Sequence, residues 1–180
     1  MRIAISGSHR TGKSTLLAAL AEALPSYTTV DEPYHLLEED GHELSHPPSV
    51  EDFEAQLERS IEALQEAGDE ALFDRCPLDM LAYIAVHDDA AEVDLEEWVP
   101  AVREAVASLD LVVFVPIEAR DRIAFSAADD EADTRSAVDE KLRELLLEDP
   151  YELELEVLEV RGEPERRVQA VLQKLRRRAP

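Results

Sequence analysis

A short apolar run followed by a glycine-flanked octet leaves few folds open to this chain. Arg2-Ile3-Ala4-Ile5-Ser6 reads as a strand, and Gly7-Ser8-His9-Arg10-Thr11-Gly12-Lys13-Ser14 fits G-x-x-x-x-G-K-[ST] at every fixed position. Thr15-Leu16-Leu17-Ala18-Ala19-Leu20 continues as a helix former with one apolar face. The motif carries meaning only between a strand and a helix, and both flanks are present. Gly7 and Gly12 permit backbone turns that a side chain would block, so successive N–H groups can converge on phosphate oxygens. The helix that starts near Lys13 aims its positive dipole end at the same anion. His9, Arg10, Thr11 and Thr15 complete the cradle. The Lys13 ammonium would reach the β/γ-phosphates and the Ser14 hydroxyl would ligate Mg²⁺. These residues predict binding of a nucleoside triphosphate, ATP or GTP, with Mg²⁺.

The rest of the composition narrows the partner class. The chain has 180 residues, enough for one domain with a real core, and 42 acidic against 18 basic residues give a net charge of −24. Such a surface repels nucleic acid and anionic membrane at long range, so a polynucleotide substrate is disfavoured. Lys13, Lys141 and Lys174 are the only lysines, so Lys13 is not one of many interchangeable surface charges. A single cysteine, Cys76, excludes an internal disulfide and suits a reducing compartment. Met1 runs straight into the first strand and no apolar run approaches a membrane span, so a cytoplasmic protein is expected.

Along the chain, strand and helix signals alternate. Tyr27–Val30 reads as a strand ending at Asp31-Glu32-Pro33, and residues 34–50 form a polar, proline-broken insertion. Ser49 caps a helix whose stripe is Phe53, Leu57, Ile61 and Leu64. Ala71-Leu72-Phe73 leads into Asp74-Arg75, and Pro77 opens the next helix. A helix over about residues 95–108 carries Trp98, and Leu111–Val115 is continuously apolar, as in a strand covered on both faces. A short helix is predicted from Ile117 to about Ala124, then an acidic lid over about 125–134, then a helix from about Arg135 to Leu147. Glu152–Val157 alternates strictly and predicts a strand at the sheet edge. Gly162 turns the chain into a last amphipathic helix. The expected fold is therefore a three-layer α/β/α P-loop NTPase domain spanning 1–180, with five parallel strands. Ligands in such sheets sit beyond the strands' carboxyl ends, where Gly7, Asp31-Glu32, Asp74-Arg75, Pro116 and Gly162 fall.

Phosphoryl transfer needs positioning and charge neutralisation, together with a group that orients or deprotonates the acceptor. Glu32 or Asp74 can serve as that carboxylate, and Asp74 can instead hold Mg²⁺ with Ser14. Arg75 can clamp an anionic group of the acceptor, and each of these charges can equally be a structural ion pair. His35, His42 and His46 lie among Glu38, Glu39 and Glu43, but their spacing fits no tetrahedral metal pattern. Gly162 marks the loop nearest an expected nucleotide base.

These segments resemble the P-loop nucleoside and nucleotide kinases, above all the thymidylate kinase and deoxynucleoside kinase branch. Asp74-Arg75 followed by Ala82-Tyr83 is similar to the thymidylate kinase pattern, and Glu32-Pro33 to the Glu-Pro that carries the base in deoxynucleoside kinases. Pro116-Ile117-Glu118 with Arg120 and Arg122 resembles the approach to a kinase lid. More closely, the P-loop and Asp74-Arg75-Cys76-Pro77-Leu78-Asp79 resemble a family of small bacterial AAA-ATPase-like ATP-binding proteins. The resemblance implies a kinase-like fold, a small hydroxyl-bearing acceptor such as a nucleoside or nucleotide, and homodimerisation through helices. It also implies catalytic roles for Lys13, Glu32, Asp74 and Arg75 and for lid arginines, of which Arg122 and Arg135 are the candidates. The stretch Ser126 to Asp133 departs from such lids by holding acidic residues and no basic one. A nucleotide-switched module acting through a protein partner stands beside the kinase as the second reading.

Overall fold

The computed structural model describes residues 1–118 and 131–178. Its centre is a sheet of five parallel strands in the order β2-β3-β1-β4-β5, namely Thr28–Val30, Ala71–Asp74, Arg2–Ser6, Leu111–Phe114 and Val157–Glu159. The three inner strands are buried almost throughout, which is why they read as unbroken apolar runs.

Successive residues of those strands point to opposite layers. Ile3, Ile5, Leu72, Leu111 and Val113 pack with Leu16, Leu20 and Val171, the apolar faces of α1 (Lys13–Ala23) and α7 (Pro164–Arg176). Ala4, Phe73, Val112 and Phe114 pack on the other side, where four helices meet. These are α3 (Val50–Glu66), α4 (Pro77–Val86), α5 (Leu95–Val106) and α6 (Glu131–Arg143), with α2 (Pro33–Glu39) laid against α3. Because β1 feeds α1 and β3 feeds α4, these neighbouring strands send their chains to opposite faces. Parallel sheets open a ligand crevice at such a point.

The predicted stripe on α3 is realised: Leu57 and Leu64 are buried, and Phe53 and Ile61 pack partly. Ser49 Oγ accepts the amide of Asp52 at 3.3 Å while Asp52 Oδ2 accepts the amide of Ser49 at 2.8 Å, a reciprocal capping box. Trp98 is half-packed and donates its indole N–H to Glu54 at 3.3 Å, which ties α5 to α3.

Two elements differ from the sequence expectation. The alternating Glu152–Val157 stretch is not a strand; β5 is the three residues Val157–Glu159 at the sheet edge. Asp149, Glu152 and Glu154 adopt φ of 50°, 51° and 54°, and the Asp149 carboxylate accepts the amides of Leu153 and Glu154 at 2.7 and 2.9 Å. A side chain has taken the amides that a ladder would use. Leu153 and Leu155 still pack on the core, so the alternation reports a one-sided apolar surface. Helix α6 starts at Glu131, four residues before the expected Arg135, and the chain closes in a π-turn at Glu144–Glu148. The acidic composition that reads as a loop is also what a helix N-terminus favours. Ile117 and Glu118 are not helical; the remainder of that expected helix, and residues 125–130 of the expected lid, lie outside the described residues.

Ser49→Ala removes one half of the α3 cap and should lower the unfolding free energy by about 1 kcal/mol, read from the midpoint of a urea titration.

Candidate active site

The loop from Gly7 to Ser14 lies at the carboxyl end of the central strand, and its backbone alternates between the two halves of conformational space. Gly7, Arg10 and Gly12 have φ of 152°, 57° and 90°. A Cβ on Gly7 would sit 2.5 Å from the Val115 carbonyl oxygen, so no other residue fits there without moving Val115, just past β4. Such alternation turns amides inward to form an anion-binding nest. The outward carbonyls are held by arginines from distant elements. Arg135, buried on α6, donates to the His9 and Arg10 carbonyls at 2.9 and 3.5 Å. Arg167 on α7 donates to Thr11 O at 2.7 Å, to Gly162 O at 2.9 Å and to Glu118 at 2.7 Å. The same Glu118 oxygen accepts the Gly162 amide at 2.7 Å, so Gly162 meets the loop through Arg167. Thr11 Oγ1 donates to Ser8 O at 3.1 Å and pins the turn from inside.

Lys13 is buried with its ammonium donating to Ser8 O at 2.7 Å. Burial first, then the nearby Arg75 cation, pushes it down to about 7. His9 is driven down to about 4 by burial and by Arg135, Arg75, Lys13 and Arg10, so it stays neutral and pairs through Nδ1 with the Tyr83 hydroxyl at 3.3 Å. Ser14 and Thr15 stand exposed in the first turn of α1. Ser14 Oγ donates to Asp74 Oδ2 at 3.3 Å. The other oxygen, Asp74 Oδ1, is buried and has no hydrogen-bond partner among the described residues. Burial raises the Asp74 carboxyl against the opposing pull of Lys13 and Arg75. A hydroxyl beside an unsatisfied carboxylate oxygen is the donor set Mg²⁺ takes when phosphates and water supply its other ligands. Among the described residues there is no group of three or more His, Cys, Asp or Glu that could hold a metal ion.

Arg75 and Asp79 weld the two strand ends together. Arg75 has φ of 77°, costly for a residue with a Cβ, and is held there by its guanidinium contacts. Nε donates to Glu32 at 2.8 Å, Nη1 donates to Gly7 O at 3.1 Å and approaches Asp79 at 3.5 Å, and the plane lies over the Tyr83 ring. Asp79 is fully buried at the start of α4; its carboxylate accepts the Gly7 amide at 3.1 Å and the Cys76 amide at 3.0 Å. Cys76 is buried too, and burial first, then the Asp79 charge, raises its thiol, which makes it inert. Asp31 is exposed. Arg120 and Arg122 lie outside the described residues.

Beside this cluster opens a cleft of about 590 Å³, bordered by the loop through His9, by Glu32 and Arg75, and by Phe53, Gln56 and Tyr83. The structure thus gathers Gly7, His9, Lys13, Ser14, Glu32, Asp74 and Arg75 at one strand end. It also brings in Asp79, Tyr83, Glu118 and Arg167, to which sequence reasoning assigned no role. Asp79 carries a readable signal, an acidic third residue in a helix opened by proline, and Tyr83 and Glu118 fall within the segments that resemble kinase motifs. Arg167 carries none, being one of several basic residues on its helix.

A five-stranded parallel sheet in this order, with a phosphate loop after its central strand, defines a P-loop protein of the nucleotide-kinase-like fold. The chain belongs to a family described as AAA domain, whose model matches residues 2–167. No curated protein matches the sequence. Among solved structures, it is similar to deoxyadenosine kinase from M. mycoides with products dCMP and dCDP, at 16% identity and a TM-score of 0.69, over 99% of this chain and 100% of that one. Thymidylate kinase from Candida albicans matches at 17% identity and 0.62, over 98% and 91%. Shikimate kinase from Aquifex aeolicus matches at 16% identity and 0.58, over 99% and 98%. At these identities the likeness establishes the fold. No helix among the described residues is long and apolar enough to cross a membrane.

Two outcomes follow from this geometry. A bound polyphosphate must hold Lys13 protonated, so triphosphate affinity is full below about pH 7 and falls by up to about tenfold per pH unit above it. Calorimetric titration of Mg·ATP at about pH 8, in two buffers of different ionisation enthalpy, should register proton uptake that Lys13→Arg abolishes. Asp79→Ala strips partners from a buried guanidinium and two amides and should cost about 3–5 kcal/mol in denaturant unfolding, more than Asp79→Asn.

Proposed function

We propose that the protein is an ATP- and Mg²⁺-dependent kinase of a small hydroxyl-bearing acceptor, a nucleoside, nucleotide or related metabolite. The observation that carries this reading is the sharing of one strand end by two sites. The triphosphate loop with Lys13 and Ser14 borders, through His9, a cleft that Glu32 and Arg75 also line. A hydrolytic switch needs the first site and has no use for the second. The kinases that share the fold add support, since the acceptors they are named for are small molecules.

In this reading the loop amides and Lys13 hold the β/γ-phosphates, with Lys13 exchanging its contact to Ser8 O for phosphate oxygen. Ser14 Oγ and Asp74, directly or through water, hold Mg²⁺, which would neutralise charge on the triphosphate. Glu32 lines the cleft whereas Asp74 lies beneath Ser14, which supports assigning the acceptor to Glu32 and the metal side to Asp74. The acceptor hydroxyl oxygen forms the new bond to the γ-phosphorus, the bond to the bridging oxygen breaks, and the hydroxyl proton passes to Glu32. Arg75 orients Glu32, and Arg135 holds the loop through its carbonyls. Arg122 would act from the lid, and Gly162 would border the base. A cytoplasmic setting and a homodimer accompany the reading.

The test is ADP release from Mg·ATP, alone and against nucleosides, nucleoside monophosphates and small hydroxylated metabolites, with Lys13→Ala as control. A Lys13-dependent rise with one acceptor class is expected, lost on chelating the metal. Glu32→Gln should lower the turnover number by about 10²–10⁴-fold. Saturable ATP binding with a flat panel would overturn the kinase and leave the nucleotide switch.

A further inference from the structure

The charges around the cleft bear on what can enter it. Among the described residues, Arg75 is the one Lys or Arg side chain that lines it, whereas Glu32 and Asp88 both line it. His9 adds no charge near neutrality. The guanidinium is already engaged, with Glu32 on Nε at 2.8 Å and Gly7 O and Asp79 on Nη1 at 3.1 and 3.5 Å. Two carboxylates flank this one cation and a third stands at the rim, so an incoming anion meets a positive charge already matched by negative ones. Burial alone would raise the Glu32 carboxyl, but the charge and hydrogen bond of Arg75 outweigh it and hold Glu32 ionised. The apolar lining is aromatic: the Phe53 and Tyr83 rings stack at 5.1 Å and 12°, with the Arg75 guanidinium over Tyr83 and with Met80 and Pro47 also lining the cleft. Gln56, buried at the cleft, spends its Nε2 on Asp52 O at 3.2 Å.

From this cluster we infer that the acceptor is an uncharged, ring-bearing alcohol, and that the Arg75–Glu32 pair excludes acceptors carrying a phosphate or carboxylate. An anion that reached Arg75 would compete with Glu32 for the guanidinium. It would then share a partly dehydrated cleft with Glu32 and Asp88, where like charges repel strongly. A neutral hydroxyl meets no such barrier: it donates to Glu32 while its ring lies along Phe53 and Tyr83. Arg75 thereby acts as a specificity determinant through Glu32, the opposite of a clamp for an anionic group. The inference rests on the kinase reading of the same cleft.

The experiment measures binding and turnover separately. Adenosine, deoxyadenosine, cytidine and thymidine are titrated against their 5′-monophosphates, and methyl quinate against quinate, into protein loaded with Mg²⁺ and a non-hydrolysable ATP analogue. In at least one pair the uncharged member should bind about tenfold or more tightly than its anion. Glu32→Gln, which frees Arg75, should shrink that gap about tenfold or invert it, an effect a merely structural ion pair would not produce. Tighter binding of the anions, equal gaps in both proteins, or no binding by any pair would overturn the inference. The same compounds are then assayed for Lys13-dependent ADP release. Release with none of them would overturn the kinase reading while leaving the binding order to judge the charge rule by itself.

Discussion

The buried carboxylate of Asp79 is the contact on which the rest of the site depends. It accepts the first amide of the phosphate loop, caps the helix that follows β3, and sits beside the guanidinium that reaches Glu32. Three segments that leave the sheet in different directions are thereby held in register at their common end. A charge placed so deep is stable only because its neighbours supply the hydrogen bonds and positive charge that water would otherwise provide. The left-handed backbone of Arg75 belongs to the same bargain: local strain persists because the surrounding contacts over-determine it.

Electrostatics explains how the loop is shaped for phosphate. Its carbonyls at His9, Arg10 and Thr11 are held by Arg135 and Arg167, so the loop amides remain directed toward the cradle. Lys13 rests on a carbonyl of its own loop, and burial, with the Arg75 cation nearby, outweighs the carboxylates of Asp79, Asp74 and Glu32, so its proton is held less tightly than in water. Burial lowers the ammonium and an arriving polyphosphate would raise it, so the loop is poised to take its ligand and a proton together. Among the described residues that line the neighbouring cleft, two carboxylates accompany one engaged arginine. On the proposed reading, the two halves of one crevice would take chemically different ligands, a polyphosphate in one and an uncharged alcohol in the other.

Regularity in the sequence was informative wherever it arose from burial. The continuous apolar runs of β1, β3 and β4, the stripe of α3 and the glycine spacing of the loop each have one physical cause, and each appears in the fold as expected. Glu152–Val157 misled because alternation records which side faces the core and says nothing about who pairs with the amides; Asp149 took them. The start of α6 misled because acidic residues suit both a loop and a helix N-terminus.

The sequence by itself determined a triphosphate loop, a doubly covered parallel sheet and the carboxylates and arginine at the strand ends, because these follow from local backbone chemistry and periodicity. Only the tertiary structure decided which charges meet. That Asp79 holds Gly7, that Arg75 spends itself on Glu32, and that Arg167 reaches Thr11 across 156 residues could not be read from spacing. Such contacts arise from the order in which strands lie in the sheet. Coulomb energy and desolvation depend on distances through space, to which position along the chain is no guide.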